Sequence, residues 1–234
     1  MIKNKLKQLC PRLYIIWHEC RVELNNWKDK RKKKAYDKYA YKVLYDLFSM
    51  VLKKNYDVTC YYGTLLGLIR DKQLIPWDDD LDFVILDTDK FSWKEFERDM
   101  KKAGFYKYRT MEMNGEVVGQ SYKKRGVLCD FGLRHKGNGI EECAYGCYQI
   151  PGKHYENGKN ELYQFWKCKV PLIKKLIAKT IHNIPIKIPE NYEEILVAYY
   201  GAMWKNPDPN FIPDRLSVEL PVKITYHRKR EHNV

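Results

Sequence analysis

The sequence predicts an α+β protein, a small mixed β-sheet flanked by α-helices with N-terminal and C-terminal helical additions. Three observations carry the prediction. Apolar residues recur first with a period near 3.6 and then with a period of 2, in the order helix, strand, helix, strand, helix. A meander of strands with a two-residue turn signal follows, and helix-like patterning returns toward the end. With 234 residues and 44% apolar content the chain can bury a full core, so one domain with terminal additions is expected and disorder is excluded.

Ile2, Leu6, Leu9, Leu13 and Ile16 recur at spacings of 4, 3, 4 and 3, with Lys3, Lys5, Lys7 and Arg12 between them, which fits an amphipathic helix interrupted near Pro11. Lys30–Lys34 reads as a polar, basic connection, so residues 1–35 are set apart as a basic amphipathic segment and residues 36–234 as a single domain. Ala40, Val43, Leu44, Leu47, Phe48, Val51 and Leu52 form the apolar stripe of a core helix over 36–55. "VTCYY" at 58–62 is a β-branched and aromatic strand that stops at Gly63. The turn-to-helix segment "GTLLGLIRD" leads through a loop closed by Pro76 to a second strand over 78–86, where acidic and apolar residues alternate before the segment turns wholly apolar.

Ser92 and Glu95 fit a capping box for a helix over 92–103, which carries Trp93, Phe96, Met100 and Ala103 on its buried face and ends at Gly104. Asn114-Gly115 is a strong hairpin signal between "FYKYRTMEM" and "EVVGQSYKKR", and "GVLCDFGL" at 126–133 gives one more strand. Residues 134–168, rich in Gly and Tyr, show no clear period and read mostly as loop. Helices are predicted over 171–182, opening at Pro171, and over 191–200, where Asn191 and Glu194 form a capping box and Gly201 the stop. Residues from about 168 to 205 are thus a C-terminal helical part of the domain.

Residues 1–54 carry 15 Lys and Arg against 5 Asp and Glu, which is ten of the chain's net +13. A basic arm on a nearly neutral body points to an anionic surface, a membrane or a nucleic acid, or else to a solvated helix face. Nucleic acid is disfavoured, because no RNA- or DNA-binding motif accompanies the charge. The longest apolar runs fall far short of the roughly 20 residues a membrane span needs, so the protein is expected to be cytoplasmic, with peripheral attachment at the inner membrane surface as an extension. The seven cysteines are odd in number and irregularly spaced, which reads as reduced thiols; a zinc site from Cys143, Cys147, Cys129 and His135 is only weakly signalled.

The chemistry concentrates in "PWDDDLDF". On a strand over 78–86, Asp78, Asp80 and Asp82 project on one side and Asp79 and Leu81 on the other. Neighbouring carboxylates on that face lie about 6.6 Å apart and repel by roughly 2.5 kcal/mol at an effective dielectric near 20. A hard divalent ion such as Mg²⁺ answers that repulsion and leaves positions for substrate phosphate. The segment is not a calcium loop, since Phe83 and Asp89 stand where glycine and glutamate are required.

Gly63 and Thr64 follow a strand and open a helix, where free N–H groups favour an anion. Arg70 is placed to aim its fork at a phosphate or at an aspartate of the next strand, and Lys72 is either part of the site or a surface residue. Trp77 is expected as a buried aromatic beside Pro76, with stacking on a base or sugar as the alternative. Asp130 sits in an otherwise apolar strand and needs a cation or a donor, either as a third catalytic carboxylate or in a salt bridge with Arg125 or Arg134.

The run "GTLLGLIRDKQLIPWDDDLDF" closely resembles the signature of the LicD/fukutin family of nucleotidyltransferase-fold phosphotransferases. "CDFGL" and "PENYEEILVAYYGAMWKNP" resemble later parts of that family more weakly. The resemblance implies a nucleotidyltransferase-like fold and Mg²⁺ or Mn²⁺ as cofactor. It implies transfer of a phosphorylated alcohol from a CDP-alcohol donor, such as CDP-choline, CDP-ribitol or CDP-glycerol, to a hydroxyl of a glycan or glycolipid acceptor. Carried over by position, Gly63, Thr64, Gly67 and Arg70 bind substrate, Asp78, Asp80, Asp82 and Asp130 hold metal, and Asp80, Asp82 and Asp130 are catalytic. Gly132 stands at a departure from the family's usual apolar-Asp-apolar-Phe-Pro run, which leaves Asp130 open between metal ligand, general base or both. Two other readings stand beside this one: a nucleotidyltransferase that releases pyrophosphate, and a basic nucleic-acid-binding module.

Overall fold

A computed structural model describes residues 11–88, 90–113, 115–135, 141–154, 161–208, 211, 216–220 and 222–227. Side chains are described for residues 27, 29–134 apart from 89 and 114, 170–208, 211 and 227. The expected helix residues Ile2, Leu6 and Leu9 and the turn residue Asn114 lie outside them.

The first element is one 44-residue helix, α1 (Pro11–Lys54). Pro11 suits a first helical position, and no Gly or Pro follows until Gly63. Lys30–Lys34, expected as a connection, continues this helix, because lysine and arginine are good helix formers. The boundary expected at residue 35 therefore falls inside α1. Ala40, Val43, Leu44, Leu47, Phe48 and Val51 are buried as the stripe predicts, whereas Leu52 is exposed. The helix ends where Asn55 turns to a positive φ of 55° and Tyr56 N–H returns to Val51 O at 3.0 Å.

The core sheet has six strands. They are β1 (Val58–Cys60), β2 (Asp80–Asp87), β3 (Tyr106–Met113), β4 (Glu116–Lys124), β5 (Val127–His135) and β11 (Val222–Tyr226), in the order β1-β2-β5-β4-β3-β11. β2 and β5 run parallel and the other pairs antiparallel, so the sheet is mixed as expected. Helix α2 (Tyr62–Arg70) joins β1 to β2 and helix α3 (Trp93–Lys102) joins β2 to β3. One face of β2 and β5 carries Leu81, Phe83, Ile85, Cys129 and Phe131 into the main core with α1 and with Phe96 and Met100 of α3. The other face of β2 carries Val84 and Leu86 against Ile195 and Tyr199 of α4 (Tyr192–Tyr200), the helix expected over 191–200.

Two expectations fail in the second half. Residues 134–168 hold two long paired strands, β6 (Glu141–His154) and β7 (Glu161–Pro171), and β7 also pairs with β10 (Leu216–Leu220). Strand-forming aromatics in "LYQFW" were the available signal there. The helix expected over 171–182 is instead a hairpin of β8 (Leu176–Ile181) and β9 (Ile184–Pro189). His182 and Asn183, at φ of 50° and 61°, make the two-residue turn whose both central residues need positive φ. The i, i+3, i+4 spacing of Leu172, Ile173, Leu176 and Ile177 mimics a helix, but alternate burial of Ile184, Ile186 and Ile188 settles the period as 2. Within 168–205 only α4 is helical.

Candidate active site

Strand register assembles the site. Asp82 of β2 lies opposite Asp130 of β5, Asp130 opposite Ser121 of β4, and Ser121 opposite Arg109 of β3, so the four side chains form a row across one sheet face. Arg109 Nε donates to Ser121 Oγ at 2.7 Å, and its Nη2 donates to Asp130 Oδ2 at 2.7 Å. The cation beside Asp130 is therefore Arg109 rather than Arg125 or Arg134; Arg134 donates to the Tyr62 hydroxyl at 2.9 Å. The second oxygen of Asp130, Oδ1, is buried without a hydrogen-bond partner among the described residues.

The other acids enter from the start of β2. The strand begins at Asp80, not at 78, so the alternation expected for Asp78 and Asp79 does not hold. One carboxylate oxygen each of Asp78, Asp79 and Asp80 lies within 4.8 Å of the others. Lys32, reaching in from α1, donates to Asp79 Oδ1 at 2.7 Å and to Asp80 Oδ2 at 3.2 Å.

Helix α2 seats these acids. Thr64, 1% exposed, accepts the Asp82 N–H on its Oγ1 at 2.9 Å and so ties the first turn of α2 to β2. Asp78 lies over Gly63, where an added Cβ would fall 2.5 Å from Asp78 Oδ2. Tyr62 holds a positive φ of 43°, which for a bulky residue is strained and marks the start of α2 as locally over-determined.

The electrostatics follow from this crowding. Burial first, then the charge of Asp80, pushes the Asp78 carboxyl up to about 7. Burial and then Asp130 push Asp80 up to about 6, against the pull of Lys32. Asp82 is raised well above the usual carboxylate range by burial and by Asp80, Asp130 and Asp78. Lys32 and Arg109 thus leave the cluster short of positive charge, and without a metal part of that shortfall is met by protons that a cation would displace. An excess of hard oxygen donors together with the orphaned Asp130 Oδ1 fits Mg²⁺ or Mn²⁺.

The remaining expected residues take other places. Arg70 forms a two-pronged pair with Asp71, at 2.8 Å and 2.7 Å, in place of a phosphate or an aspartate of β2. Gly67 packs against protein: a Cβ there would meet Gln73 O at 2.7 Å and Ile75 N at 2.9 Å, so its role is close approach of the loop before β2. Lys72 Nζ donates to Ile69 O near the end of α2. Trp77 is 50% exposed, not buried as expected. Cys60 and Cys129 are buried free thiols. The side chains of Cys143, Cys147 and His135, the other residues of the weakly signalled zinc site, lie outside those described.

Sequence reasoning missed Lys32, Arg109 and Ser121. No spacing rule finds them, because Lys32 lies 47 residues from Asp79 and Arg109 lies 21 residues from Asp130. An arginine in a half-polar strand was the one local hint of the second.

The acids, Ser121 and Arg109 lie within a family match. The nucleotidyltransferase-domain model of the LicD/FKTN/FKRP family matches residues 55–191. An uncharacterized protein of Rickettsia typhi is 34% identical over 97 residues, 39% of this chain and 31% of that protein. Another uncharacterized protein, from Rickettsia prowazekii, is 28% identical over 95 residues, 39% of this chain and 36% of that protein. The chain spans about a third of the length of the curated relatives it matches. The family model covers more than half of the chain and includes α2, the acids of β2, Arg109 and Asp130, so this chain belongs to the LicD/FKTN/FKRP nucleotidyltransferase-domain family.

Proposed function

We propose that the chain transfers a phosphorylated alcohol, such as phosphocholine, ribitol phosphate or glycerol phosphate, from a CDP-linked donor to a hydroxyl of a cell-surface glycan or its lipid-linked precursor. The observation that carries this reading is the carboxylate cluster of Asp78, Asp80, Asp82 and Asp130, with an oxygen of Asp130 that has no hydrogen-bond partner among the described residues. Family membership supports phosphotransfer on glycans and adds the nucleotide-linked donor.

Asp78, Asp80, Asp82 and Asp130 would hold Mg²⁺ or Mn²⁺, which when bound neutralises charge on phosphate oxygens. The chain's own residues do the rest. The N–H groups of the first turn of α2 face the donor phosphates, where partial positive charge gathers. Trp77, half exposed beside Asp78, offers a ring face to a base or sugar. Arg109 fixes one oxygen of Asp130 and leaves the other to orient the acceptor hydroxyl or take its proton. The acceptor oxygen forms a bond to the phosphorus that carries the alcohol, the bridging P–O bond breaks, and cytidine monophosphate leaves.

The test is incubation of the protein with a panel of CDP-alcohols, Mg²⁺ and candidate glycans, followed by mass spectrometry. Cytidine monophosphate with a phospho-alcohol-modified glycan supports the reading. Pyrophosphate release from a nucleoside triphosphate would replace it with a nucleotidyltransferase, and salt-sensitive nucleic-acid binding without either product would replace it with a binding module.

A further inference from the structure

The family match begins at residue 55, yet the acids are walled on one side by α1, which precedes it. Two side chains of α1 face them. Lys32 spans Asp79 and Asp80, with 2.7 Å to the first and 3.2 Å to the second. Tyr36 stands four residues, hence about one helical turn, further on the same face. Its side chain is 3% exposed and its hydroxyl has no hydrogen-bond partner among the described residues. Burial raises the Tyr36 phenol above its ordinary range, and the charges of Asp78 and Asp80, then Tyr41 and Asp82, add to it, so the ring lies within the field of the acids.

A buried hydroxyl without a partner is destabilising and is kept where something satisfies it. The neighbouring carboxylates do not bond to it among the described residues. A lysine ammonium has three donors, and here two point at carboxylates. Asp80 carries the longer of its two contacts, and Asp80 is also one of the acids the proposed cation would neutralise. Release from Asp80 would free a donor while Asp79 keeps the ammonium in place.

We propose that Lys32 and Tyr36 are phosphate-binding residues of this site, a wall supplied by α1 that donates to oxygen atoms of a diphosphate once a divalent cation occupies the acids. Without ligand, Lys32 holds Asp79 and Asp80 together and limits their repulsion. With the cation bound, it shares itself between Asp79 and a phosphate oxygen, and the Tyr36 O–H finds its acceptor beside it. The inference deepens the proposed function and rests on its cation-assisted phosphate site, but not on the donor being a CDP-alcohol.

The test uses the full chain, Mn²⁺ and inorganic pyrophosphate as probes, followed by calorimetric titration. Wild-type protein is expected to bind Mn²⁺ and then pyrophosphate. Lys32→Gln should bind Mn²⁺ at least as tightly, since a competing cation is gone, but lose about tenfold or more in pyrophosphate affinity. Lys32→Arg should recover part of that loss, and Tyr36→Phe should lose roughly three- to tenfold with unchanged Mn²⁺ binding and melting temperature. Pyrophosphate affinity within twofold of wild type in both Lys32→Gln and Tyr36→Phe overturns the proposal. So does loss of Mn²⁺ binding in parallel with pyrophosphate, which marks Lys32 as structural, and so does a wild-type protein that binds neither probe. Intact probe binding with no turnover of any CDP-alcohol would refute the proposed donor and leave this wall standing.

Discussion

Gly63→Ala separates stability from activity at this site. Gly63 is helical without a positive φ, so alanine fits its backbone, and replacing glycine in a helix stabilises by about 0.5–1 kcal/mol at most in a first turn. The new Cβ would fall 2.5 Å from Asp78 Oδ2 and 3.5 Å from its Cγ. Ordinary contact begins near 3.5 Å, so the oxygen has to retreat by about 1 Å. Asp78 is the flexible end of that contact, so its side chain can give way without moving the backbone. A misplacement of that size at a reacting centre costs on the order of 10²-fold. The expected result is an unchanged or slightly raised melting temperature in metal-free buffer and a 10- to 100-fold drop in product release. Combining the change with Asp78→Asn tests the route, because effects that pass through one side chain do not add. Full activity in Gly63→Ala, or a double variant whose loss equals the product of the single losses, would refute the placement of Asp78 over Gly63 as the cause.

Other expectations follow from the same contacts. Thr64→Val removes the acceptor of the Asp82 N–H and should cost about 1–3 kcal/mol in urea melts, with activity falling as β2 loosens from α2. Asp78 and Asp80 are raised from 3.8 to about 7 and about 6, so the folded, metal-free protein holds more protons than the unfolded chain through this window. Their contribution is therefore favourable at and below about pH 4 and declines as pH rises through 6 and 7. Mg²⁺ should raise the melting temperature more at pH 8 than at pH 5, and Asp80→Asn should flatten that difference; equal shifts at both pH values would remove the acids as the metal site. Arg70→Lys loses the fork on Asp71 and is expected to cost roughly 1–3 kcal/mol in stability, with the donor KM near wild type if its role is confined to that pair. Co-sedimentation with anionic but not neutral vesicles at low salt is expected of the basic N-terminal half of α1, and indifference to anionic vesicles would make its charge a solvated face.

The sequence determined the elements whose signal is local. The stripe from Ala40 to Val51, the strand over "DLDFVIL", the helix beginning after Ser92 and the Asp-containing strand at 130 each follow from period or composition within a few residues, whereas the expected capping boxes do not form: the Ser92 side chain makes no capping hydrogen bond, and Asn191 Nδ2 donates to Leu172 O instead. It also exposed the acids themselves, because consecutive carboxylates before an apolar strand are costly without a cation. Period failed where helix and strand patterns coincide over a short apolar run, as at 171–182, and where strands lack alternation, as in β6. Only the tertiary structure decided which cations the acids meet. The parallel pairing of β2 with β5 sets Asp82 beside Asp130, the meander carries Arg109 to the same row two strands away, and an unbroken α1 brings Lys32 to Asp79 and Asp80. Register and helix continuity are set by burial of whole faces in the core, and no property of Lys32 or Arg109 in the chain alone distinguishes them from other lysines and arginines.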